Sequence, residues 1–212
     1  MKQHHYPPAR EIVELTLDRI HESETAFCYS VGGESGSGKS TLSLALKEVL
    51  EEKGFTPFIF HMDDYFRHPP QDNYEMRLEN IGQVGPEEVN LELLQQHINQ
   101  VKKGAKQIRK PLVHYLENQI RQVIVDLEEV DIVIAEGTYT TLLGNIDCRI
   151  FMLRDYRDTY EARKERARDQ LVPFNEKVLE IEHRIIRKHA SEADILIDKE
   201  YSITVQTDRF GR

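Results

Sequence analysis

Gly33-Glu34-Ser35-Gly36-Ser37-Gly38-Lys39-Ser40-Thr41 sets two glycines, a lysine and a hydroxyl at the spacing G-x-x-x-x-G-K-[ST]. Glycines there let backbone N–H groups turn inward around an anion, and the N-terminus of a following helix adds partial positive charge. Lys39 supplies a point charge to β and γ phosphates, and the Ser40 hydroxyl is a hard oxygen ligand for Mg²⁺. The whole run, Gly33 to Thr41, is therefore the candidate ATP cradle. Two carboxylates follow downstream, Asp63 in His61-Met62-Asp63-Asp64-Tyr65-Phe66-Arg67 and Glu136 in Ala135-Glu136-Gly137. Asp63 can accept a proton from an alcohol or cap a strand-to-loop turn. Glu136 can hold Mg²⁺, directly or through water, or pair with a neighbouring Lys or Arg.

These residues need a frame. Ala26 to Val31 and Thr56 to Met62 are rich in β-branched and aromatic residues, and they flank a helical stretch from Lys39 to Lys53 with apolar Leu42, Leu46, Val49 and Leu50. That is a βαβ unit, with Gly32 and Gly33 at the turn and Gly54 as the helix stop. Ile132 to Ala135, Ile150 to Leu153 and Ile195 to Ile197 read as further buried strands. Helices are expected over Pro86 to Lys103, Tyr156 to Leu171 and Glu176 to Ala190, with Tyr65 to Gly85 as the longest irregular segment. The alternation implies an α/β fold with a parallel, doubly wound sheet, whose ligands gather at the carboxyl edge where Asp63 and Glu136 fall. Ala9 to His21 forms an amphipathic helix ahead of the first strand, suited to packing or to a partner surface.

Composition bounds the partners. The 212 residues carry 28 Lys and Arg against 37 Asp and Glu, a net charge of −9, so an electrostatic footprint for nucleic acid or an anionic membrane surface is missing. The longest aliphatic stretch, Ile132 to Ala135, is far short of a bilayer span of about 20 residues. Cys28 and Cys148 have neither disulfide-framework nor zinc spacing, His4, His5, His183 and His189 have no metal-ligand spacing and read as surface residues, and no export signal is visible, so a reducing cytoplasm is the expected location. No N-K-x-D guanine-reading element and no L-S-G-G-Q-like signature accompanies the phosphate loop, which leaves phosphotransfer to a small molecule.

G-E-S-G-S-G-K-S-T, then M-D-D-Y-F-R, A-E-G-T-Y, D-C-R-I-F-M-L-R-D and an Arg-rich helix ending Arg166-Ala167-Arg168-Asp169 resemble, in that order, the uridine kinase and phosphoribulokinase branch of P-loop kinases. The resemblance runs from about Ala26 to Asp198. It implies a three-layer P-loop fold with a five-stranded parallel sheet, an N-terminal helical extension over 1–24 and a kinase domain over 25–212 with a lid at about 157–175. It implies ATP and Mg²⁺, with Asp63 as catalytic base, Lys39 and Arg168 on the phosphates, Ser40 and Glu136 in the metal shell, and Arg163, Arg166 and Arg168 in the lid. Without the upstream loop, the run from Arg157 to Asp169 reads more readily as a solvated helix laced with ion pairs than as a lid. The default acceptor is a nucleoside such as uridine. The family's P-x-Y-D segment is here Pro111-Leu112-Val113-His114, its ribose-contacting D-H-P-like element is absent, and no E-R-G-R-like stretch continues the lid. Asp63, Tyr65, Arg77, His114 and Tyr115 are the candidate acceptor contacts, and pantothenate, glycerate, a sugar phosphate or nicotinamide riboside are alternative acceptors. A nucleotide-binding regulator without transfer activity is the reading from another class, and a homo-oligomer is compatible with all of these.

Overall fold

Phe27–Gly33 (β1) is buried along its whole length, as is Ile132–Glu136 (β5), which fits near-continuous apolar runs at the centre of a parallel sheet. The computed structural model describes residues 3–161, 163, 173–208 and 210. Its main sheet adds Pro57–His61 (β2), Cys148–Met152 (β6), Ile195–Ile197 (β7) and Ile203–Val205 (β8), in the order β2-β5-β1-β6-β7-β8. The first five are parallel, and β8 runs antiparallel to β7. The parallel core of five strands thus agrees with expectation, and β8 is a short sixth strand that covers an otherwise open edge. Pro57 opens the opposite edge strand, where a missing N–H is tolerated.

Alternate strand residues feed two cores. Tyr29, Val31, Ile132 and Ile134 face Tyr6–Glu22 (α1) and Lys39–Glu52 (α2), packing on Ile12, Val13, Leu42 and Leu46. Cys28, Val133 and Ala135 face the other way, toward Leu94 and Ile98 of Leu91–Lys102 (α4) and Ile186 of Pro173–Ile186 (α5). Helices on both faces make three layers. The apolar stripe of α1 lies in the same core as α2, and Thr16 Oγ1 hydrogen-bonds Tyr29 Oη at 2.5 Å. Among the described residues no helix is long and apolar enough to cross a membrane.

Three elements differ from the pattern reading. Pro70–Glu79 (α3) occupies much of the stretch expected to be irregular; only Asn73 in it is buried, so it has no apolar stripe to betray it. The helix expected from Pro86 is a 3-10 turn over Pro86–Glu88 followed by α4, because Asn90 caps the later start by accepting from Leu93 N at 3.1 Å. Gln107–His114 (β3) and Gln119–Asp126 (β4) form an antiparallel hairpin apart from the main sheet. Of the helix expected over Tyr156 to Leu171, the described residues show helix only around Tyr160, Glu161 and Arg163.

Of the histidines expected at the surface, His5 and His189 are buried, and His189 joins the buried His97 in making the fold sensitive to mild acid. His97 Nδ1 bonds Tyr65 Oη at 2.8 Å and His189 Nδ1 bonds Thr141 Oγ1 at 2.9 Å. Burial holds both rings below the usual histidine range, and Lys110 lowers His97 further. A depressed value means that the unfolded chain binds protons first, so the stabilisation is complete above about pH 6.5 and is lost as pH falls through the folded values. Thermal melts from pH 7.5 to 5.5 should show a falling midpoint, with a shallower slope in His97→Gln; an unchanged slope would remove His97 from this account.

Candidate active site

The phosphate loop joins β1 to α2. Gly36 and Gly38 have φ of 79° and 107°, in the left-handed region. A Cβ on Gly38 would stand 2.6 Å from His5 Nε2, so both backbone conformation and space require glycine. Lys39 Nζ arches back to donate to Glu34 O at 2.9 Å. The Glu34 side chain turns away from the cradle: it accepts from Tyr156 N at 2.7 Å and pairs with His183 Nδ1 of α5 at 2.6 Å. Thr159 Oγ1 donates to Ser35 O at 3.0 Å. The loop is thus pinned from behind by the segment after β6 and by α5.

At the carboxyl edge, β5 pairs Glu136 with Val31 on one side and with His61 on the other. Both Glu136 carboxylate oxygens lie 3.2 Å from Ser40 Oγ, and Oε1 lies 2.7 Å from His61 Nδ1. Burial pushes the Glu136 carboxyl upward, but the hydrogen bonds from His61 and Ser40 and the charge of Lys39 outweigh it and hold the group below its usual range. The same hydrogen bond to Glu136 raises His61. Gly137 leaves room for β2's exit, since a Cβ there would fall 2.3 Å from Met62 Cβ. His61 escaped the sequence reading; its place at the end of β2, two residues before Asp63, is the signal that a register argument would have used.

Neighbouring aspartates at the end of β2 diverge. Asp64 is buried, receives Lys110 Nζ at 2.6 Å and Val113 N at 3.1 Å, and so fastens the β3–β4 hairpin to the sheet. Asp63 is exposed and lines two adjoining cavities. The larger, about 800 Å³, runs over Gly36, Lys39, Ser40 and Glu136. The smaller, about 240 Å³, lies among Phe66, Asn73, Tyr74, Arg77, Val113 and Glu182. Tyr115, Thr138 and Arg163 border both. The hairpin tip is held in place by Asn118, which accepts from Gln71 N at 2.8 Å and donates to Asp72 Oδ1 at 2.7 Å, capping α3 from outside its own chain segment.

The candidate residues do not all meet there. Lys39, Ser40, Asp63, Arg77, Tyr115, Glu136 and Arg163 reach the two cavities. Tyr65 does not: it is buried against Phe60 and His97, with burial raising its hydroxyl. His114 lies outside both linings, since strand alternation turns it opposite to Val113. Arg77 faces the smaller cavity but is tied to Glu88 and Glu182. Arg163 donates to Tyr156 O at 2.9 Å and pairs with Glu176 at 3.3 Å. Arg166 and Arg168 lie outside the described residues. Asn73, Asn175 and Glu182 line the smaller cavity without having been singled out, because no motif carries them and only the folding of α3 and α5 brings them together.

Ser40 and Glu136 offer a hydroxyl and a carboxylate side by side, the hard oxygen donors Mg²⁺ takes when nucleotide phosphates and water complete its shell. Among the described residues no cluster of three His, Cys, Asp or Glu could hold a metal by itself, and Mg²⁺ in such a shell needs none. The donor set fits the ion.

Comparison with known proteins adds a family. A model of the phosphoribulokinase / uridine kinase family matches residues 28–159, more than half of the chain. The bifunctional α-galactosidase/sucrose kinase AgaSK of Mediterraneibacter gnavus is 23% identical over 87% of this chain, which spans 21% of that protein. The uridine kinase of Clostridium novyi is 27% identical over 61% of this chain and 60% of its own length. The chain therefore covers less than two thirds of either relative. Phosphoribulokinase from Rhodobacter spheroides superposes with a TM-score of 0.68 at 14% identity, covering 88% of this chain and 82% of that one, a likeness of fold.

Proposed function

The chain belongs to the phosphoribulokinase/uridine kinase family, and from that premise we propose that it transfers the γ-phosphoryl group of ATP, with Mg²⁺, to a hydroxyl of a small molecule. One observation carries the reading: Asp63 stands where the cavity over the phosphate loop meets the smaller cavity, so a hydroxyl held in the second faces a phosphate held in the first. Loop N–H groups and Lys39 would cradle the phosphates, and Ser40 and Glu136 would hold the magnesium, which when bound would supply neutralising charge for the phosphates. His61 fixes the Glu136 carboxylate through its 2.7 Å hydrogen bond. Asp63 orients the acceptor hydroxyl and takes its proton. Arg163 borders both cavities and steadies the transferring group, with Arg166 and Arg168 as further lid candidates.

A nucleoside such as uridine is the first acceptor to try. A sugar hydroxyl is the second, supported by the breadth of the match to the sucrose kinase relative, 87% of this chain. ADP release with ATP and Mg²⁺ should rise on adding one member of a panel of nucleosides, sugars, vitamins and sugar acids. Tight ATP binding with no acceptor-stimulated release across that panel would favour a nucleotide-binding regulator instead.

A further inference from the structure

Gly38 is the pivot of the phosphate loop. With φ of 107° and ψ of 10° it caps α2, and that geometry aims the first N–H groups of the helix into the cradle. A glycine does not keep such a conformation by itself, because without a Cβ it visits both signs of φ about as readily. Its surroundings must hold it. Ahead, its carbonyl accepts from Leu42 N at 2.9 Å as the helix begins. Behind, the space a side chain would take is filled by His5, whose Nε2 is 2.6 Å from an ideal Cβ, and by Met152 Cε at 3.3 Å.

His5 belongs to the 3-10 turn Gln3–His5 ahead of α1, yet it is only 2% exposed. Its ring is wedged. Tyr201 meets it edge-on with centroids 4.6 Å apart, and His4 stacks on Tyr201 at 6.1 Å. Tyr201 lies in the turn between β7 and β8 with φ of 68°, a region that bulky side chains rarely enter. The turn keeps it there: Tyr201 N donates to Asp198 O at 3.1 Å, and Asp198 Oδ1 accepts from Glu200 N at 3.0 Å and Ser202 N at 2.8 Å. Arg154, two residues beyond β6, donates from Nη1 to Tyr201 Oη at 2.8 Å and lies over the ring at 5.7 Å. Arg154, Tyr201, His5 and Gly38 thus form one line of contacts from the carboxyl edge of the sheet to the phosphate loop. The neighbouring Tyr6 hydroxyl bonds Glu48 of α2, so the same turn is fastened to the helix that the loop begins. We propose that His5 is a positioning residue for the phosphate loop: wedged between Tyr201 and Gly38, it holds the loop in its anion-binding form, and nucleotide affinity depends on the N-terminal turn. This rests on the loop holding a nucleotide and is independent of whether a phosphoryl group is then transferred. Without the ring Gly38 regains its conformational freedom, and affinity falls in proportion to the fraction of chains whose loop stays formed. Linkage makes the coupling reciprocal, so bound nucleotide steadies the turn.

The test is calorimetric titration of the full chain with a non-hydrolysable ATP analogue and Mg²⁺. His5→Ala should weaken binding by about tenfold, the loss expected when about one loop in ten remains formed. Val13→Ala opens the α1 core away from the loop; it should lower the melting midpoint and leave the affinity unchanged. In the wild-type chain the analogue should slow amide hydrogen exchange at His4, His5 and Tyr6, a measurement that stands even if His5→Ala folds poorly. Unchanged affinity in His5→Ala, equal losses in the two variants, or exchange at the turn that ignores the nucleotide overturns the inference. A wild-type chain that binds no nucleotide removes the nucleotide reading and the inference with it. Binding with the expected His5 effect but no phosphoryl transfer would remove the kinase reading alone and leave the role of His5 standing.

Discussion

Asp63→Asn is expected to lower kcat by about 10²- to 10⁴-fold, the usual contribution of a positioned general base, while the affinity for ATP stays within about twofold. The substitution keeps the size and shape of the side chain and removes its ability to take a proton at neutral pH. Asp63 is exposed at the junction of the two cavities, where acceptor and phosphate would meet. Loss of the base falls on the transition state, where the acceptor O–H bond is breaking, and leaves the phosphate cradle intact. In free energy the range is about 2.7 to 5.4 kcal/mol of barrier. Single-turnover transfer measured beside ATP titration checks it: near-normal turnover would remove the proton-accepting role, and loss of ATP affinity would make Asp63 part of the nucleotide site.

The pattern of the chain disclosed what is local and missed what is brought together from afar. The phosphate loop is a contiguous motif whose glycines, lysine and hydroxyl each have a chemical reason, and β1 and β5 are buried on both faces, so their apolar runs are unbroken. The hairpin of β3 and β4 was harder to see because Pro111 interrupts β3 and β4 leaves most of its residues exposed, which blurs the period of two. His61 meets Glu136 only through the parallel pairing of β2 with β5. Glu182 and Arg77 come together across more than a hundred residues. Tyr65, two residues beyond the catalytic candidate in sequence, turns into the core because the 3-10 turn Met62–Tyr65 rotates successive side chains away from one another. Proximity along the chain was a sound guide to the cradle and a poor one to the acceptor wall.

Asp64, next along from Asp63, should behave in the opposite way. Its side chain is 11% exposed and that of its partner Lys110 only 6%, so the 2.6 Å pair is a buried one. Removing one member leaves the other charged in a poor dielectric, and Asp64→Ala or Lys110→Ala should each destabilise the fold by about 3–5 kcal/mol. At about 2–4 °C per kcal/mol for a chain of this size, the melting midpoint should drop by roughly 6–20 °C. Replacing both together, Asp64→Leu with Lys110→Met, should recover much of that loss, because no buried charge then stands alone. Below the melting range the single variants should keep ATP affinity, since the phosphate loop hangs from β1 and α2. Their acceptor KM should rise, because Asp64 also holds Val113 N at 3.1 Å, and β3 leads directly to Tyr115 at the cavity wall. A loss of turnover at unchanged stability and unchanged KM would instead assign Asp64 a part in the chemistry and dissolve the division of labour between the two aspartates.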